Sequence, residues 1–320
     1  MDDFHPDITF IGTALVDSIV RGLDPDPVSA TGYRAETGLL SVGGEAVNGG
    51  IASARLGLDV RVLCSLARDA AGALVTAALK GAGVNVRNVP RPAGCPTPVS
   101  TLLVNRDGTR RSITNSAHRY NFHPEEHPDA FAGSRLLVLG SLFRAPFDDP
   151  AVVHGVVTSP SARDALVFAD TKLPNFRRLT LEDLKDSLPR IDYIFPNEDE
   201  AAYCTGKTDP EAAADVFLSC GVKNVIVKLG ARGCFFKNAA ERYRLGAFSI
   251  DAVDATGAGD SFLAGFADAL LSGAGHADAL RFASACGAIC TTALGATSAL
   301  EDRDQVLTFL RSRPDPIRDR

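Results

Sequence analysis

An α/β fold, with a doubly wound and mostly parallel sheet flanked by helices and a small β-sheet lid, is predicted by three observations. Short continuous apolar runs recur at residues 8–11, 61–65, 136–139, 165–169, 193–195 and 224–228. Strands buried on both faces of a parallel sheet read this way. Helix-period stretches lie between the runs, an alternation that builds helices onto both faces. Two segments rich in turn residues break the alternation and read as one small sheet outside the core.

In chain order, the first strand is read at 8–11. Residues 17–40 are loop and strand. The paired glycines Gly43 and Gly44 open a helix that runs into Ile51. A strand at 61–65 precedes an alanine-rich helix at 70–79, closed by Gly81 and Gly83. Residues 98–115 read as a hairpin with Asp107-Gly108 in its turn. The later strands alternate with helices at 199–204 and 211–218. From Gly257 onward three helical segments follow, at 257–271, 277–291 and 302–310. The tail, 311–320, alternates charge around two prolines and reads as flexible. The extra sheet, beside a candidate site, is a lid candidate; read blandly, it is a surface hairpin.

Composition sets limits. Lys and Arg number 33 against 39 Asp and Glu, a net charge of −6. Nucleic acid and membrane surfaces call for a basic face, so neither is expected as a partner. The seven cysteines are widely spaced with no C-x-x-C, which points to a reducing, cytoplasmic setting rather than a disulfide framework. The acidic start, Met-Asp-Asp, is unlike a signal peptide. The uncharged run 283–300 holds only Ile289, Leu294 and Leu300 as large aliphatics, and reads as close packing rather than a membrane span. His118, His123 and His127 read as surface loop, and Cys286 with Cys290 as buried hydrophobes.

The strongest local signal is Asp254-Ala255-Thr256-Gly257-Ala258-Gly259-Asp260. Three small residues open a helix, so nothing shields their N–H groups and an anion can approach. A carboxylate there, Asp260, needs a task, and deprotonating a hydroxyl that attacks phosphorus is one. Two decoys fail. Phe262 stands where a dinucleotide fingerprint needs its third glycine, and Ala201 where a P-loop before Gly206-Lys207-Thr208 needs its first.

Four weaker signals accompany it. Gly43 and Gly44 allow close backbone approach, and Asn48, one turn on, offers both a donor and an acceptor to a hydroxyl-rich ligand. Asp17 at a strand end can grip a diol, although a strand-end Asp is more often a turn residue. Asn197 through Glu200 opens a helix, usually mere dipole complementarity, but a carboxylate there can also bind hydrated Mg²⁺. Lys228, Gly230 and Gly233 form a strand end and tight turn that can line a nucleotide pocket.

In this order the motifs resemble the ribokinase-like, or PfkB, family of carbohydrate kinases, from Gly12 to about Leu300. The resemblance implies one kinase domain over 1–320, with a discontinuous lid at about 13–41 and 96–120 of a kind that often dimerises. It implies ATP, Mg²⁺ and a small-molecule sugar as ligands. Asp260 is then the base, and the backbone of Gly257, Ala258 and Gly259 the anion hole. Asp17, Gly43, Gly44 and Asn48 contact the sugar. Lys228, Gly230, Gly233 and Thr256 fall at the nucleotide site. Asn197 and Glu200 help place Mg²⁺, largely through water, and Asp254 falls where members hold a monovalent cation, usually K⁺. Glu45 departs from the Lys that members acting on phosphorylated sugars carry, and an acid there repels a phosphate. The expected substrate is therefore a free pentose or hexose. A nucleoside kinase of the same fold, or a non-catalytic sugar sensor, is the alternative. A sugar acid would need an Arg partner, for which Arg110 and Arg111 are the candidates.

Overall fold

The computed structural model describes residues 4–23, 31–87, 89–107, 109–115, 121–313 and 318–319. Gly108 of the hairpin turn, His118 and residues 24–30 of the lid segment lie outside them.

The main sheet is laid down from next to one edge. β1 (Ile8–Ile11) pairs in parallel with β4 (Val60–Leu63) on one side and with β7 (Leu136–Leu142) on the other. β8 (Leu166–Thr171), β9 (Tyr193–Phe195) and β10 (Asn224–Lys228) extend the parallel array beyond β7. β11 (Cys234–Asn238), β12 (Arg242–Leu245) and β13 (Arg318–Asp319) close that edge antiparallel. The chain thus winds both ways from β1, and the β1–β7 gap is the topological switch point, where open α/β sheets bind ligands beyond the carboxyl ends of their strands.

Alternation along each strand makes the two cores. Ile8, Phe10, Leu136, Val138 and Ile226 face one side. There they meet α1 (Glu45–Arg55), α2 (Ala70–Gly81), α6 (Ala258–Leu271), α7 (His276–Cys290) and α8 (Arg303–Ser312). Ile11, Leu137, Leu139, Val225 and Val227 face the other, against α3 (Pro150–Val157), α4 (Glu198–Thr205) and α5 (Pro210–Ser219). Because both faces are covered, the strands are mostly apolar, with Thr9, Arg61, Asp170 and Thr171 among the buried polar exceptions. Of the uncharged run 283–300, residues 283–290 are buried in α7 except half-buried Ser284, as close packing requires, whereas in 291–300 only Ala296 and Leu300 are buried.

The second sheet runs β3-β2-β5-β6, from β2 (Leu15–Leu23), β3 (Thr37–Gly43), β5 (Val99–Asn105) and β6 (Arg110–Thr114). The 17–40 segment is two antiparallel strands, and Asp17 is the third residue of β2 rather than a strand-end residue. Of the expected tail, Arg311 and Ser312 finish α8 and Arg318–Asp319 pairs with β12, while 314–317 and 320 lie outside the described residues. Strands β11 and β12 and helix α3 were not anticipated from the sequence pattern.

Candidate active site

The site forms where the amino ends of α1 and α6 meet the carboxyl ends of β8 and β10. α6 begins with Gly257 as its N-cap in left-handed conformation, φ 78°, and no side chain caps it. A Cβ on Gly257 would collide with Ala296 of the facing loop, so only glycine lets the two loops close. Ala258 N–H is taken by Ala255 O at 3.3 Å. Among the described residues no acceptor is assigned to the N–H of Gly257, Gly259 or Asp260. Of the three residues expected to form an anion hole, Gly257 and Gly259 thus keep N–H groups without an acceptor, and that of Ala258 is weakly engaged. Lys228 adds charge, because its Nζ would stand 3.4 Å from a Cβ on Gly259.

Asp260 stands in the first turn of α6. Its Oδ2 accepts from Asn48 Nδ2 at 2.8 Å. Asn48 is buried and its Oδ1 has no hydrogen-bond partner. Asp260 retains some exposure although protein atoms crowd its carboxylate, as at the floor of a narrow cleft. Burial pushes its pKa up to about 7, with Asp170 and Glu45 pushing the same way against Lys172 and the Asn48 hydrogen bond. A carboxyl poised there is half ionised near neutrality, which suits a general base.

The residues expected to contact a sugar are held by the small sheet and α1 together. Gly44, the N-cap of α1, has φ 97°, and Thr13 O fills the place of its Cβ. A Cβ on Gly43 would collide with the Asp17 carboxylate, so the two glycines make room for backbone and carboxylate respectively. Burial, then Glu45, raises Asp17 to about 6. Glu45 is itself 3.8 Å from Lys172 Nζ. Glu45, then Asp260, Asp170 and Glu200, hold the Lys172 ammonium well above its usual range against the opposing effect of burial.

Behind this cluster, Lys228 Nζ donates to Asp170 Oδ1 at 2.6 Å. Asn197 bridges to Lys228 along the strand edge. Asn197 and Glu200 form a reciprocal capping box. Glu200 Oε2 accepts from Asn197 N–H and from Thr171 Oγ1, each at 2.8 Å. Burial raises Glu200, with Lys228 opposing. Mg²⁺ prefers oxygen donors and keeps several waters. Asn197, Glu200 and Asp170 offer such oxygens, already engaged by protein donors. Among the described residues no group of three or more His, Cys, Asp or Glu could hold a metal directly. This donor set fits an ion held through water.

Asp254 and Thr256 act on the loops. Asp254 Oδ1 accepts from Thr256 N–H and Oγ1, and Oδ2 from Gly295 N–H at 3.0 Å. Burial works to raise Asp254, but these hydrogen bonds and Arg21 outweigh it and its pKa lies below the usual range. Gly230 and Gly233 form the turn between β10 and β11, apart from the cluster, with φ of 57° and 90°. Arg110 and Arg111 are exposed on the outer strand of the lid. His123 pairs with Glu125 rather than with other histidines.

Sequence reasoning missed Asp170 and Lys172. The signal was present: Asp170-Thr171-Lys172 is a polar triplet at the carboxyl end of a buried apolar strand, where α/β sheets place function.

Sequence and fold are matched by relatives. The model for the pfkB family carbohydrate kinases covers residues 7–303. The chain is 28% identical to ribokinase of Arabidopsis thaliana over 97% of this chain and 83% of that protein. It is 30% identical to ATP-dependent ribose-1-phosphate kinase of Halopiger xanaduensis over 86% and 88%. The structure of Arabidopsis thaliana ribokinase complexed with ribose and ATP superimposes with a TM-score of 0.83 at 27% identity, covering 96% of this chain and 99% of that one. A putative ribokinase II from E. coli in complex with ATP and Mg²⁺ shares the fold, with a TM-score of 0.79 at 24% identity over 96% and 100%.

Proposed function

The chain belongs to the pfkB family of carbohydrate kinases, and on that premise we propose that it moves the γ-phosphoryl group of ATP to a hydroxyl of a free pentose or hexose, with Asp260 as base. The observation that carries this reading is the meeting of Asp260 with unsatisfied donors at the start of α6 and an unsatisfied acceptor on Asn48. The sugar hydroxyl lies against Asp260 and Asn48, with Asp17 gripping neighbouring hydroxyls above Gly43 and Gly44. As the hydroxyl oxygen bonds to phosphorus and the bond to the ADP oxygen breaks, the hydroxyl proton passes to Asp260. Charge on the transferring group falls on the N–H groups of Gly257 and Gly259, with Lys228 beside them.

Mg²⁺, held through water by Asn197 and Glu200, would neutralise phosphate charge when bound. Lys228, Gly230, Gly233 and Thr256 lie on the nucleotide side. K⁺ is a proposed activator beside Asp254, whose carboxylate stays charged; a rate unchanged when K⁺ replaces a bulky organic cation would remove it.

A free sugar is favoured over a phosphorylated one, the substrate class in the name of the Halopiger relative. Asp17, Glu45 and Asp260 outnumber the nearby cations Lys172 and Arg144; burial raises Asp17 first, and Glu45 adds to it. All seven cysteines are free, in keeping with a cytoplasmic setting. No helix among the described residues is long and apolar enough to cross a membrane. Leu40 and Ile113 on the lid are 66% and 64% exposed, which supports pairing of two lids.

The test is ADP release across pentoses, hexoses, sugar phosphates, sugar acids and nucleosides. Turnover confined to free sugars is expected. Turnover of nucleosides or sugar phosphates alone would overturn the substrate assignment.

A further inference from the structure

β8 lies between β7 and β9 in the sheet, so the residue that follows it stands between the sugar and nucleotide sides of the site. On one side is Glu45, at the start of α1. On the other are Lys228 of β10 and Glu200 of α4. Lys172 occupies the ground between them. Its backbone is fixed. The Lys172 N–H donates to Leu142 O at 3.0 Å, and the carbonyl of Leu173, next in the chain, accepts from Arg144 Nε at 2.7 Å.

The lysines of the site are used differently. Lys228 Nζ is spent on Asp170 Oδ1, at 2.6 Å. Lys172 is half-buried, and among the described residues its Nζ pairs with Glu45 Oε1 alone, at 3.8 Å, beyond hydrogen-bond length. Its N–H donors are therefore left for a ligand. Glu45 first, and then Asp260, Asp170 and Glu200, outweigh burial and keep the ammonium charged. A half-buried cation among acids, hydrogen-bonded to none of them, is placed to meet an anion that arrives with the substrates. A free sugar brings no charge. The anion that passes between Lys228 and Asp260 is the phosphoryl group in transfer.

We propose that Lys172 is a catalytic residue: its ammonium, steered by Glu45, donates to an oxygen of the phosphoryl group midway between nucleotide and sugar. The sugar oxygen bonds to phosphorus as the bond to the ADP oxygen breaks, and the hydroxyl proton goes to Asp260. Lys172 keeps its own protons throughout and offsets the charge that the moving group spreads over its oxygens. This rests on the sugar-kinase reading of the site.

The experiment compares wild type with Lys172→Met, Lys172→Gln and Lys172→Arg on the best sugar, each first checked for its fold by a thermal melt. Methionine keeps the apolar stem, glutamine keeps a donor without the charge, and arginine keeps the charge. Lys172→Met and Lys172→Gln should each lose about a hundredfold in kcat, as removal of one preorganised donor does. KM for sugar and for ATP should stay within about threefold. Lys172→Arg should recover about tenfold of the loss. A second readout needs no turnover. Aluminium fluoride, standing in for the phosphoryl group in flight, should tighten ADP on the wild type in the presence of sugar, and Lys172→Gln should lose most of that gain. If a folded Lys172→Met or Lys172→Gln protein turns over at the wild-type rate, or its loss is confined to KM for the sugar, the ammonium does not meet the moving group and the inference falls. A wild type that phosphorylates no sugar overturns the sugar-kinase reading, and this inference with it.

Discussion

Asp260 carries opposing demands. It must be ionised to take a proton, yet burial, Asp170 and Glu45 hold its pKa near 7. The rate should therefore follow one ionisation. Below pH 7, kcat/KM should drop about tenfold per pH unit. Below the pKa of Asp17, about 6, the slope should approach two if both carboxylates must be charged. A flat profile between pH 5 and 8 would contradict this. Stability runs the other way. Both acids bind protons more tightly folded than unfolded, so the native state loses stability as pH rises from about 4 through 7. Asp260→Asn should accordingly melt higher than wild type at pH 8, with the gap closing toward pH 5. Asp260, Asn48 and the glycines could be named from sequence because each breaks a local rule: an acid at an anion cradle, paired glycines at a helix entrance. Lys172 was marked only by the polar triplet that ends β8, because its pairing joins elements far apart in the chain. Lys172 looks like a solvated loop cation until β8 brings it to Glu45 of α1.

At the scale of elements, two helix starts do different work. α6 leaves its first N–H groups open, and helix dipole and small residues together favour an anion. α4 closes its start with the Asn197–Glu200 capping box. That box also fixes Glu200 against Thr171 of β8, so one device secures a helix and aims a carboxylate toward the Lys228–Asp170 pair. Asn197→Ala should cost about 1 kcal/mol of stability, as lost caps do. It should also raise the Mg²⁺ concentration needed for half-maximal rate, read by metal titration at saturating sugar. A destabilised variant with an unchanged Mg²⁺ requirement would leave the box a cap and nothing more. The parallel strands were legible because burial on both faces removes all alternation. The antiparallel β11 and β12 were not, because polar Lys237, Asn238, Arg242 and Arg244 sit on them at the sheet edge.

The whole molecule is a winding scheme that gathers distant residues at one edge. β1 lies beside the edge strand β4, and its neighbours β4 and β7 arrive from opposite directions of winding and leave a crevice, over which the strands of the small sheet stand. If the small sheet closes as the proposed lid, it would exclude water and limit loss of ATP to hydrolysis. The exposed apolar residues of the lid predict self-association: Leu40→Asp with Ile113→Asp should shift sedimentation toward a monomer, whereas a wild type already monomeric at micromolar concentration would remove the proposed dimer. The net charge of −6 gave no sign of the phosphate site, because backbone amides and a helix end do not enter a count of Lys and Arg. The central claim, that Asp260 is the base of a sugar kinase and not a relic on a sugar sensor, is tested most directly by Asp260→Asn. The variant should keep its fold by circular dichroism and its sugar affinity by calorimetry, and lose roughly a thousandfold in kcat, within the range of general-base catalysis. A folded Asp260→Asn protein that turns over sugar at near the wild-type rate would contradict the account.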